Sequence, residues 1–116
     1  ALAFVHGLRL RPGMTLCEMG SADGSLMALV GSHVMPGGKL IATSPIRAEL
    51  QATKSAVAAA GLGSVQTYRA NSKQWAPELP PRTCDAIYSR MVIHMVAART
   101  IHEYIPQWAA ALKPCA

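Results

Sequence analysis

Short β-rich runs alternate along this chain with stretches of helical periodicity, and that alternation leaves few architectures open. Met14–Met19 (MTLCEM), Lys39–Thr43 (KLIAT), Val65–Ala70 (VQTYRA) and Asp85–Arg90 (DAIYSR) are short and bounded by Gly, Pro or polar residues, so they read as strands. Ile46, Leu50, Thr53, Val57 and Ala60 recur at spacings of 4, 3, 4 and 3, which puts them on one face of a helix. Leu26, Leu29, Val30 and Val34 predict a shorter helix after the first strand, and Ile101, Ile105, Trp108 and Leu112 a C-terminal one. Strands that alternate with helices pair in parallel through right-handed crossovers. The predicted fold is therefore α/β, a doubly wound parallel sheet in one domain over residues 1–116.

The punctuation between these segments agrees. Ser44-Pro45 predicts a helix start, with a hydroxyl at the N-cap and Pro at the first helical position. Gly61 supplies a left-handed stop after the Ala-rich run that precedes it. Pro12-Gly13, Pro36-Gly37-Gly38 and the stretch Pro77–Pro81 mark loops ahead of strands.

Composition narrows the class of partner. The 116 residues are 51% apolar and 15% charged, enough for a core and too few charges for a disordered tail. No apolar run approaches the roughly 18 residues of a membrane span, and no basic-then-apolar leader opens the chain. The net charge is +5, but the eleven Lys and Arg never form a run of three and do not interleave with aromatic residues. That spread predicts a mildly basic surface with no clear nucleic-acid face, while leaving an anionic substrate open. Three Cys without close spacing predict buried thiols, Cys17 and Cys84 in neighbouring strands, and a cytoplasmic compartment. With no C-x-x-C, H-x-x-x-H or paired acidic set, no metal site is expected.

The chemistry concentrates in Thr15–Gly24 (TLCEMGSADG). A strand ends at Met19, a glycine-bearing loop follows, and a helix begins near Ser25. Gly20 and Gly24 let backbone approach a ligand, and Asp23 reads as a carboxylate of the helix's first turn. Glu18 lies inside an apolar strand, where a carboxylate is costly unless a donor or cation meets it; a ligand ammonium group would be such a partner.

On these residues the sequence resembles the class I S-adenosylmethionine-dependent methyltransferases. Their first motif, an acidic residue, an apolar residue and a G-x-G-x-G loop, stands here as Glu18-Met19-Gly20-Ser21-Ala22-Asp23-Gly24. Leu10-Arg11-Pro12-Gly13-Met14 is similar to the phrase before the family's first strand, and Cys84–Ser89 to its fourth strand with an Asp at the start. Leu112-Lys113-Pro114 is similar to the phrase that leads into its fifth strand, after which the chain ends with Cys115-Ala116. The resemblance implies a Rossmann-like sheet of strand order 3-2-1-4 and S-adenosylmethionine as cofactor, with the family's C-terminal strands absent. It also implies an apolar fourth strand left at the edge and prone to self-association.

Carried over, the resemblance gives Glu18, Gly20, Ser21, Ala22 and Gly24 to the methionine portion of the cofactor. Ser44, followed by Pro45, takes the place of the ribose-binding acidic residue. Asn71 and Ser72 take the adenine-recognition position, and Ser89 faces the methionine end. Ala22 stands where the family has its middle Gly, and Ser44 where it has a carboxylate. His94 follows the fourth strand and is a candidate general base. The implied function is methyl transfer to an unidentified acceptor. A non-catalytic remnant serving in assembly is the alternative; a dinucleotide-binding oxidoreductase fits less well, because Gly20, Ala22 and Ser25 miss the G-x-G-x-x-G spacing and Ser44 is not acidic.

Overall fold

A computed structural model of the chain describes residues 9–20, 22–70, 79, 81–89, 109–111 and 113. Within them lie four strands, β1 (Thr15–Met19), β2 (Lys39–Ser44), β3 (Gln66–Arg69) and β4 (Ala86–Tyr88). Between them lie two α-helices, α1 (Ser25–Val30) and α2 (Arg47–Ala59), and a 3-10 turn over Gly31–Val34. The strands form one parallel sheet in the order β3-β2-β1-β4, as expected. Part of the predicted C-terminal helix is seen at residues 109–111; the rest lies outside the described residues. Among the described residues no helix is long and apolar enough to cross a membrane.

β1 is flanked by strands on both sides, and all five of its residues are buried. The two-residue side-chain period divides it between faces. Leu16 packs with Leu40, Ala42, Ala86 and Tyr88 against Met27, Val30, Val34 and Val57 of the helical segments. Cys17 and Met19 point the other way, into a second cluster with Ile41, Cys84 and Ala111. Removing each large side chain of these clusters from water stabilises the fold by about 1.5–3 kcal/mol before the entropy of ordering it.

α2 buries Leu50, Thr53 and Val57, the middle of the stripe its periodicity predicts, whereas Ile46 and Ala60 at its two ends cap the helix and are exposed. It ends as the sequence suggests: Gly61 has φ +74° and donates to the Ala58 carbonyl (3.0 Å), while Leu62 donates to Val57 (3.2 Å) and packs on the core. That pair of bonds is a Schellman stop. The start differs from expectation. Ile46 is the N-cap, because Ser44 is still paired with Arg69 in the sheet and Pro45 makes the turn between them. The Ser44 hydroxyl instead accepts from Ile46 N–H at 3.1 Å.

Two other expectations need correction. α1 buries Met27 and Val30 and leaves Leu29 59% exposed. The helix tightens into the 3-10 turn after Val30, so the buried stripe runs 27-30-34 rather than through Leu29. Cys17 and Cys84 are both fully buried, as expected, but they form a disulfide across the β1–β4 pair, with Cα atoms 6.1 Å apart. That spacing lies within the range a disulfide spans. Cysteine usage therefore no longer argues for a reducing compartment.

At the N-terminal end of the sheet, Asp85 ties β4 to β1. Its Oδ2 accepts the Thr15 N–H at 2.7 Å and the Lys113 ammonium at 3.0 Å. Partial burial raises the Asp85 pKa, but the Thr15 bond, the Lys113 ion pair and the charge of Arg11 outweigh it, holding the carboxyl below its ordinary value.

Candidate functional site at the carboxyl ends of the strands

The strand order places the chain's switch point at β1: the first crossover leads to β2 on one side, and β4 returns on the other. In open parallel sheets the loops diverge there, leaving a crevice beyond the strands' carboxyl ends. Glu18 sits at that point. It is 2% exposed and lies between Ala42 of β2 and Tyr88 of β4 in register. The Tyr88 phenol is held far above its ordinary pKa by burial, by the Glu18 charge and by its hydrogen bond to Glu18. A neutral phenol and the Glu18 carboxyl group thus share the end of the central strand pair.

Beyond Glu18 the backbone turns sharply. Gly20 (φ +82°) donates to the Thr43 carbonyl at 2.9 Å, Ala22 has φ +50°, and Gly24 has φ +80°. Ala22 holds a left-handed conformation that its Cβ disfavours by about 1–2 kcal/mol. It therefore copies the backbone path of the glycine that the motif would have there. Asp23 lies before the helix rather than in its first turn; its Oδ1 accepts the Ser25 N–H at 2.9 Å.

Gly24 has a packing task that its sequence position does not reveal. A Cβ there would stand 2.5 Å from the Thr53 Cα. The missing side chain lets the start of α1 press on the backbone of α2, so close helix packing accounts for this glycine.

At the end of β2, Ser44 is fully buried and its hydroxyl donates to Glu49 Oε1 at 2.7 Å. Pro45 follows in the turn, half-buried. Glu49 is the residue that sequence reasoning missed. It occupies the third helical position of α2, where a capping carboxylate reaches back toward the helix start. Here it reaches Ser44, bringing a carboxylate to the place where Ser44 itself supplies none. Its position three residues after the N-cap was the available signal, hidden because the helix start was placed at Ser44-Pro45.

Ser89 follows β4, and its Oγ is buried without a hydrogen-bond partner among the described residues. Glu18, Gly20, Ser44 and Ser89 therefore line the same end of the sheet, on three adjacent strands. Ser21, Asn71, Ser72 and His94 lie outside the described residues.

No known family profile matches the sequence, and no curated protein does. Solved structures do. An S-adenosylmethionine-dependent methyltransferase from Aquifex aeolicus superposes with a TM-score of 0.82 over 97% of this chain and 58% of its own, at 19% identity. TrmN from Thermus thermophilus gives 0.77 over 97% of this chain and 34% of its own, at 20% identity. An arsenic(III) S-adenosylmethionine methyltransferase from Chlamydomonas reinhardtii gives 0.71 over 90% and 37%, at 17% identity. The chain thus spans 58% of the Aquifex protein and little more than a third of the other two. Over the length they share, the chain has the fold of the class I S-adenosylmethionine-dependent methyltransferases.

Proposed function

We propose that this chain is the cofactor-binding part of an enzyme that transfers a methyl group from S-adenosylmethionine to a nucleophilic acceptor. The observation that carries this reading is the buried Glu18 carboxylate at the switch point, two residues before a turn in which Gly20, Ala22 and Gly24 are left-handed. The donor set suits the cofactor's chemistry. A carboxylate complements the ammonium group of the methionine portion, and the Ser89 hydroxyl is a buried polar group available to it. The Ser44–Glu49 pair offers a carboxylate to the ribose hydroxyls, with Glu49 in place of an acidic residue at Ser44.

When bound, S-adenosylmethionine supplies an electrophilic methyl group on a sulfonium, so the cofactor carries the difficult chemistry. The residues named here bind and orient. Glu18, beside a Tyr88 phenol that stays neutral, fixes one end of the cofactor, and the Gly20–Gly24 turn brings backbone close to it. Holding the reactants in line and excluding water is the chief contribution such a site makes.

Isothermal titration of the chain with S-adenosylhomocysteine tests this, with Glu18→Gln as the matched variant and NADH as competitor. Saturable binding that falls at least roughly tenfold in Glu18→Gln and ignores NADH supports it; such a loss corresponds to a charge-assisted bond of about 1.4 kcal/mol or more. A folded chain that binds neither ligand would favour the non-catalytic remnant. Displacement by NADH would favour a dinucleotide site.

A further inference from the structure

A cavity of about 310 Å³ opens at the β3 edge of the sheet, lined by Arg47, Leu50, Gln51 and Lys54 of α2 and Thr67 and Arg69 of β3. Two periodicities build it. Residues 47, 51 and 54 follow one another around a single face of the helix, while 67 and 69 share one face of the strand. Half of the lining residues are cations, and none is a carboxylate.

The chain's described carboxylates are committed elsewhere. Glu49 accepts from Ser44, Asp85 holds Thr15 and Lys113, Asp23 holds the Ser25 N–H, and Glu18 faces Tyr88. No carboxylate of a described residue pairs with Arg47, Lys54 or Arg69. A single Arg on an edge strand would be explained by protection against edge pairing. Three cations brought together from two elements need a further reason, because like charges on one surface repel.

The geometry points to a site for a phosphate group. Arg69 Nε donates to the Pro45 carbonyl at 3.4 Å, and none of its other guanidinium N–H groups bonds to a described residue. An Arg fork matches phosphate oxygens in pairs, and Lys adds a mobile point charge. Gln51 and Thr67 add neutral donors, and Leu50 an apolar contact. The volume falls at the lower end of small-molecule sites, roughly 300–1,000 Å³, so it accommodates a phosphorylated small molecule as well as one phosphate of a longer chain. None of Glu18, Ser44, Glu49 and Ser89 lines this cavity, although Arg69 adjoins the Ser44-Pro45 turn, and the proposal does not depend on the methyl-transfer reading.

The test is titration of the full chain with inorganic pyrophosphate and, separately, with a six-nucleotide single-stranded RNA. The variant is Arg47→Gln/Lys54→Gln/Arg69→Gln; the control, Arg9→Gln/Lys39→Gln/Arg82→Gln, removes the same charge from exposed positions elsewhere. Pyrophosphate binding is expected to weaken roughly tenfold or more in the variant and to hold within about threefold in the control. RNA that binds more tightly than pyrophosphate, with a salt dependence that declines as cleft cations are removed, would identify a nucleic-acid phosphate. RNA no tighter than pyrophosphate would identify a small phosphorylated ligand. Lys54→Gln alone touches no hydrogen bond described here and decides the matter if the triple variant does not fold. Equal losses in variant and control, or no saturable binding by the native chain, would overturn the proposal.

Discussion

Replacing Gly24 by alanine imposes two separable costs. The first is conformational: at φ +80° a Cβ is disfavoured by about 1–2 kcal/mol. The second is steric. The new Cβ would sit 2.5 Å from the Thr53 Cα, against roughly 3.5–4.0 Å for an ordinary carbon contact. The obstacle is backbone, so no rotamer change relieves it, and α1 must lift away from α2. Overpacking of this kind costs about 1–3 kcal/mol, giving a total of about 2–5 kcal/mol. Gly61→Ala is the internal reference. Its φ is +74°, and nothing lies within 4 Å of its Cβ position, so only the conformational cost of about 1–2 kcal/mol applies. Urea denaturation of the two variants against the native chain measures the difference directly. Gly24→Ala should be the less stable by roughly 1–3 kcal/mol. Equal midpoints and slopes would refute the close approach of the two helices and return Gly24 to the role of leaving room for a ligand.

Ala22→Gly should stabilise the chain by about 0.5–1 kcal/mol in the same assay, the relief of a left-handed alanine less the entropy glycine adds to the unfolded state; destabilisation would contradict the φ of +50° at this position. Reducing the Cys17–Cys84 disulfide, which spans 67 residues, should lower stability by about 2–4 kcal/mol. Thiol titration should find neither of these two cysteines reactive in the native chain, and two new thiols after reduction and unfolding would check the pairing. For Asp85 the folded pKa is depressed, so its stabilisation is present above the ordinary aspartate pKa of about 4 and is lost as pH falls through the folded value. The stability gap between the native chain and Asp85→Asn should therefore be widest near neutrality and close in acid, and a gap independent of pH would contradict the clamp.

What the sequence made legible was whatever depends on neighbours along the chain. The strand runs, the Leu50-Thr53-Val57 stripe and the Gly61 stop all follow from local period and local backbone freedom. Features that depend on pairing across the sheet were not legible. Cys17 and Cys84 lie 67 residues apart, and spacing alone does not tell two neighbouring thiols from a bonded pair. Ser44 looked like an N-cap because a hydroxyl before Pro is a strong local signal; its pairing with Arg69 in the sheet overrides that signal and passes the cap to Ile46. The cleft of Arg47, Lys54 and Arg69 was invisible for the same reason, since its cations are dispersed in sequence and meet only when β3 packs beside α2. At the candidate site, Glu18 and the turn after it were readable from one contiguous motif. Glu49 was not, because its contribution depends on where α2 begins.

If the carboxyl ends of β1, β2 and β4 form one ligand site, amide chemical-shift mapping of the isotopically labelled chain with S-adenosylhomocysteine will locate it. Saturable shifts are expected at Glu18, Gly20, Ala22, Ser44 and Ser89, with Gly13, Lys39 and Asp85 at the opposite end of the sheet unmoved. A folded chain with no saturable shift, or with shifts confined to that opposite end, would contradict that expectation.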